Sequence, residues 1–368
     1  MNLTLTQRQR TFVAGLESLL ADRPATTRWD QQVSRAPGYD QGLWSELMVG
    51  RWVTVGFPEE FGGRGGGVSD MVLLAEVVGA GPVPGPFHAG IVLSGSALMA
   101  GGDDERLCAL LSGERTFTFC SWGGSEQSAV VATKTARGWR LEGQTRFVPY
   151  GADAGQLLVL GAVQTEAGVH HDALFALDRS SDGVATEAIP DIGGDRLAHV
   201  TFRGVEVDAS ALVGEPGAPE GWMPAVVATA RVVIAAEMVG AAAAALSHAC
   251  EWARTRVQFH APIGSLQAVQ QRLADAYIDV VTARDAVYDA AGIIDRGKVA
   301  TAAAAGAKAY CSEACRRVTA TAHQVGGGEG IYADQPLHAW HRRVQGLVPL
   351  MGGVQTLRAV VAQAVLPA

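Results

Sequence analysis

Apolar residues recur at spacings of three and four over 11–20, 44–53, 71–78, 91–99 and 105–111, which predicts a series of helices in the first 112 residues. Between the second and third lies Phe57-Pro-Glu-Glu-Phe-Gly-Gly-Arg-Gly-Gly-Gly67, a loop that a helix cannot cross. At Thr116 the period changes. Short β-type runs at 116–120, 130–133, 139–142, 157–160, 173–177 and 199–202 alternate with glycine or polar turns as far as Val213. From Trp222 the pattern is helical again, alanine-rich and nearly free of breakers over 226–256, 265–295 and 298–325. Long alanine-rich helices pack closely, so these should form a bundle. The pattern therefore predicts an α+β protein in three parts: an N-terminal helical domain over 1–112, a small central β domain over 113–215 and a C-terminal helical bundle over 216–368.

A length of 368 residues with 48% hydrophobic side chains supplies two or three cores. The net charge of -8, without any lysine or arginine block, gives neither a nucleic-acid footprint nor a polybasic membrane patch, so neither nucleic acid nor membrane is an expected partner. The five cysteines (Cys108, Cys120, Cys250, Cys311 and Cys315) are odd in number and contain no CxxC pair. That usage argues against a disulfide framework or a zinc site and points to a reducing, cytoplasmic setting. The first ten residues have no apolar stretch behind a basic start, and the apolar run 225–246 is broken by Arg231 and Glu237, so no targeting or spanning segment is expected.

Candidate chemistry concentrates in the last third. Arg256-Val-Gln-Phe259-His260-Ala-Pro-Ile263 precedes Gln267 and Leu273-Ala-Asp275; an arginine at such a helix end offers a fixed fork of donors to a phosphate. Gln324-Val-Gly-Gly327-Gly328-Glu-Gly330 would let a backbone approach a diphosphate, although a glycine cluster after a helix is more often only a C-cap and loop. Pro336, Arg342 and Leu350-Met351-Gly352-Gly353 follow. In this order the motifs resemble the acyl-CoA dehydrogenase family, with its R-x-x-F-G-x-x-I, Q-x-x-x-x-x-L-A-D and Q-x-x-G-G-x-G patterns and the P-E-x-x-G-G turn at Phe57 to Gly63. Two weaker matches are Phe117-Thr-Phe-Cys120-Ser-Trp122-Gly-Gly124-Ser125, where the family has a strand ending in T-E-P and then G-S-D, and Gly143-Gln-Thr-Arg-Phe147-Val-Pro149-Tyr-Gly151, which resembles N-G-x-K-x-[FW]-I-T-N-G.

The resemblance implies the acyl-CoA dehydrogenase fold, with a four-helix bundle at the C-terminus, and FAD as cofactor. It implies α,β-dehydrogenation of an acyl-CoA or acyl-carrier thioester in lipid metabolism, with electron-transfer flavoprotein as acceptor. Arg256, Phe259, Gln267, Gln324, Gly327 and Gly328 then match positions that hold FAD, commonly across a subunit interface, while Ser125 and Phe147 match the flavin surroundings. Arg231, which follows the second of the family's two base positions, is expected either to orient substrate or, equally, to form a salt bridge with a neighbouring acid. His260 stands at a family glycine, and Cys120 and Pro149 stand at hydroxyl positions, so the flavin-ring pocket is altered.

The base itself is missing. Family chemistry removes an α-proton with a carboxylate from one of two positions, and here these hold Met351 and Ala230, neither of which accepts a proton. Glu237 lies two turns beyond Ala230 on nearly the same helix face; as a relocated base it would have its pKa raised by burial, whereas the plainer reading is a core glutamate paired with a cation. The other resolution is that the chain resembles the base-less subunits of actinobacterial steroid-type enzymes and forms a homo-oligomer or an α2β2 complex with a second such chain. A non-catalytic FAD-completing subunit and a monooxygenase-like flavoenzyme are the alternatives. His170-His171 and the His338, His341 pair lack metal-ligand spacing.

Overall fold

The change of period along the sequence becomes a change of layer in the computed structural model, which describes residues 5–21, 29, 32–120, 130–164, 170–332 and 334–366. The N-terminal helices are α1 (Gln7–Ala21), α2 (Gln41–Val49), α3 (Val68–Ala80), α4 (Gly95–Ala100) and α5 (Asp104–Leu111). Asp40 caps α2 by accepting from the Leu43 amide (3.0 Å), and Gly50 ends it, earlier than the apolar spacing predicts. The predicted helix over 91–99 is instead a π-helix, Phe87–Ser94, running straight into α4. Every residue of the π-helix is buried, so it has no polar face for a period to reveal.

Eight strands form one sheet in the order β6-β7-β3-β2-β4-β5-β8, with β1 alongside β4. They are β1 (Phe117–Phe119), β2 (Val130–Lys134), β3 (Gly138–Pro149), β4 (Gln156–Gln164), β5 (His170–Asp178), β6 (Val184–Ala188), β7 (Leu197–Asp208) and β8 (Leu212–Val213). The edge strand β6 and the two-residue β8 carry no pattern strong enough to predict. A register shift between Thr145 and Val148 bulges β3 against β7, and Phe147 sits in that bulge at φ +58°.

The C-terminal part holds α6 (Ala218–Thr255), the short strands β9 (Val257–Gln258) and β10 (Ala261–Pro262), then α7 (Gln267–Asp295), α8 (Thr301–Gly326), α9 (Leu337–Leu347) and α10 (Val354–Val365). Helix α6 packs on α7, α8 and α9 and, on its other side, on α3, while α10 lies on α8. Being enclosed explains why α6 is apolar all round: it is long and apolar enough to cross a membrane, but 83% of its most apolar window is buried within the protein, as in a core helix. The α3–α6 crossing is a backbone contact. A Cβ on Gly79 would lie 2.1 Å from the Glu237 carbonyl oxygen, and one on Gly240 would lie 1.9 Å from that of Glu76. Glu76 also ties α3 to α7, accepting from Arg284 Nε (2.6 Å) and Tyr288 OH (3.0 Å). One continuous apolar core joins the N-terminal helices to the bundle, and the sheet has its own core of Val130, Leu141, Phe175 and Phe202.

Candidate functional site

The two positions that lack a base fall at one locus. Ala230 and Arg231 lie on α6, and Arg231 Nε donates to the Met351 carbonyl oxygen (3.0 Å) in the turn after α9. Met351 and Gly352 both adopt positive φ, +57° and +114°, which turns the chain sharply beside α6. Lys308 of α8 grips the same turn from below, its Nζ donating to the Val348 carbonyl oxygen (3.0 Å) and to Ser312 Oγ (3.1 Å). Lys308 is completely buried, and burial pushes its ammonium down to about 7. Burial also lowers the Arg231 guanidinium, and among the described residues no carboxylate pairs with it. With a thioether at 351 and a methyl at 230, neither of these two side chains can take an α-proton.

Glu237 does not replace the missing base, and the expectation that burial would raise its pKa is reversed. Its Oε1 accepts from Arg343 Nε, and its Oε2 accepts from Arg343 Nη2 (3.2 Å) and meets His88 Nε2. Arg343 further donates through Nη1 to Asp195 Oδ1 (2.7 Å) and the Gly193 carbonyl oxygen (2.9 Å). Burial is the largest single influence on Glu237 and acts upward, but the Arg343 and His88 charges and hydrogen bonds together outweigh it and hold the carboxyl at about 2. A carboxylate so acidic, with both oxygens engaged, is a poor proton acceptor at neutral pH. Arg343 is shared unequally: burial pushes Asp195 above its ordinary value, and the guanidinium offsets this only in part. The cluster joins α6, the π-helix, α9 and the loop before β7, which is a structural role.

At the far end of α6 the structure brings Arg256 to the glycine segment. Arg256 caps the helix, lies over the Trp252 ring (5.6 Å) and pairs through Nη2 with Glu329 Oε1 (2.9 Å) of the glycine segment. Gln267 opens α7, Gln324 is on the last turn of α8, and both are exposed together with Gly327 and Gly328. A Cβ on either glycine would meet nothing within 4 Å, so their bare backbone faces outward rather than into this chain. Phe259 is 83% exposed, and Phe259 and His260 take positive φ, +54° and +65°. That left-handed turn explains why a glycine suits position 260 in the family pattern. Val257, Ile331 and Tyr332 are exposed nearby in sequence, so an apolar rim accompanies the arginine fork and the open glycines. These residue types fit the diphosphate and adenosine end of FAD.

The ring side is less fully described. Ser125 lies outside the described residues, as do Trp122 and Gly124. Phe147, on the bulge of β3, is about half exposed and meets His199 edge to face (5.5 Å between centroids). Cys120 is buried, and desolvation raises its thiol far above the usual range, which leaves no thiolate nucleophile there. The residues that motif reading missed are His88, Asp195, Lys308 and Arg343. Of these, only Lys308, a lone charge in the run Ala302–Ala309, carries a signal that could have been noticed.

Residues 222–366 match the acyl-CoA dehydrogenase C-terminal domain. The chain is 30% identical over 353 residues to acyl-CoA dehydrogenase FadE27 of Mycobacterium tuberculosis, covering 92% of each. Among solved structures, it resembles the ChsE4-ChsE5 complex from Mycobacterium tuberculosis, with a TM-score of 0.89, 29% identity and 100% of both chains covered. It also resembles the Tcur3481-Tcur3483 steroid ACAD, with a TM-score of 0.86, 25% identity and 98% and 99% of the two chains covered. An identity of this level over nearly the full length, on top of the shared layout, means that the chain belongs to the acyl-CoA dehydrogenase family of FAD-dependent oxidoreductases.

Proposed function

We propose that this chain is the base-less subunit of a heteromeric acyl-CoA dehydrogenase, holding FAD while a second, related chain supplies the catalytic carboxylate for α,β-dehydrogenation of an acyl thioester. The observation that carries this reading is the locus of Ala230, Arg231 and Met351: both base positions meet there, neither side chain accepts a proton, and the nearest candidate on the same helix face, Glu237, is locked to Arg343. The likeness to one chain of a ChsE4-ChsE5 complex supports a two-chain assembly.

In this reading Arg256, Gln267, Gln324 and the backbone at Gly327 and Gly328 hold the diphosphate and adenosine, with Phe259 covering them. Phe147 and Ser125 line the ring, and Arg231 orients the acyl part. Bound there, FAD would accept the hydride lost from the acyl chain, and electron-transfer flavoprotein would receive the electrons. The test is the visible spectrum of the FAD-loaded chain under anaerobic conditions, before and after adding acyl-CoA. Absorbance at about 450 nm, the band of oxidised flavin, should persist with this chain alone and bleach once a base-bearing partner chain is added. Full bleaching of the single chain would refute the reading.

A further inference from the structure

The interior pairs most of its cations with acids. Arg343 has Glu237 and Asp195, Arg284 has Glu76, and Arg196 holds Asp153 through two bonds (2.8 and 3.0 Å). Arg231 is not paired in this way. Half-buried on α6, it gives Nε to the Met351 carbonyl oxygen, and among the described residues its Nη groups meet no carboxylate. Lys308, on the opposite side of the same turn, also has only neutral partners, Ser312 Oγ and the Val348 carbonyl oxygen. The Arg231 guanidinium and the Lys308 amine thus converge on the turn 348–351, and the side chain at its tip, Met351, brings no negative charge to balance the guanidinium. A partly desolvated guanidinium without a counter-ion is costly, and its free edge matches a carboxylate with two parallel hydrogen bonds.

We infer that the free edge of Arg231 receives a carboxylate borne by the ligand's own acyl portion, so that the thioester taken by this site is the half-thioester of a dicarboxylic acid. The inference rests on the thioester reading above and adds the class of acyl group to it. Arg231 touches the ligand. Lys308 is a positioning residue: completely buried, it holds the turn through the Val348 carbonyl oxygen. An acyl group ending in a methyl would leave Arg231 unpaired.

Succinyl-CoA and butyryl-CoA carry the same CoA on acyl groups of the same length, so a difference between them reports the carboxylate alone. Calorimetric titration of the FAD-loaded full chain should show succinyl-CoA binding on the order of tenfold tighter, as a charge-assisted pair implies. Arg231→Gln should abolish that preference and Arg231→Lys keep part of it. Should Arg231→Gln not fold, Met351→Glu gives the guanidinium an internal carboxylate and should erase the preference as well. Equal affinities in the unaltered chain, or a preference that survives both Arg231→Gln and Met351→Glu, would overturn this inference and leave the thioester reading standing. If neither thioester binds, both fall together.

Discussion

Replacing Glu237 with glutamine keeps the size of the side chain and one acceptor but removes the charge that faces Arg343. The loss can be worked in two ways. Holding a buried carboxyl at about 2 rather than at the ordinary 4.5 corresponds to roughly 3 kcal/mol of stability at neutral pH. Removing one partner of a buried ion pair costs about 3–5 kcal/mol. The two routes agree on about 3 kcal/mol, undiminished by solvent because Glu237 is only 1% exposed. Equilibrium urea unfolding of Glu237→Gln and the unaltered chain at pH 7 measures the gap. The folded-state pKa lies below the unfolded one, so the contribution is complete above 4.5 and disappears as the pH falls toward 2. The gap between the two proteins should therefore close across that window. A difference below about 1 kcal/mol at pH 7, small beside the cost of breaking a buried pair, or one that remains undiminished near pH 2, would refute the reasoning.

Lys308 gives a dependence of the same sign in a higher pH window. Its ammonium is held at about 7 against an ordinary 10.5, so the unfolded chain binds the extra proton between those values and the native protein gains stability as the pH rises through them. Lys308→Met should flatten that slope, of about 1.4 kcal/mol per pH unit, and a slope unchanged by the substitution would place the titration elsewhere. Gly79→Ala drives a methyl into the Glu237 carbonyl oxygen; parting α3 from α6 should cost about 1–3 kcal/mol, read as a lower Tm, and an unchanged Tm would show that the crossing can open freely.

Much of the layout was legible because period and turn chemistry act locally: alternation marks β7, a short apolar run between turns marks β4, and the alanine-rich runs mark α6 to α8. The π-helix was not legible, since a segment buried on every side has no polar positions to set a phase. The candidate cofactor-tail residues could be singled out because their spacing within short motifs is itself the signal, and Arg256 meets the glycine segment through Glu329. Glu237 is the paired core glutamate of the plainer reading, but its partners and the direction of its pKa were not legible, for the converse reason. Its pKa is decided by Arg343 and His88, more than a hundred residues away on other elements, and one helix face read alone shows only burial. The unpaired state of Arg231 is equally a property of the assembled interior, invisible until each neighbouring acid is accounted for.

The length of α6 separates two of the proposed ligand contacts. Arg231 and Arg256 lie on one helix, and at roughly 1.5 Å of rise per residue they are about 38 Å apart along its axis, farther than a single dinucleotide reaches. In the proposed reading, where Arg231 orients an acyl group and Arg256 grips a diphosphate, one chain would therefore serve two different sites, one near the middle of its bundle and one at its end. Sites shared in this way would come in pairs, each completed by a second chain. On that reading a monomer would own two half-sites and no whole one.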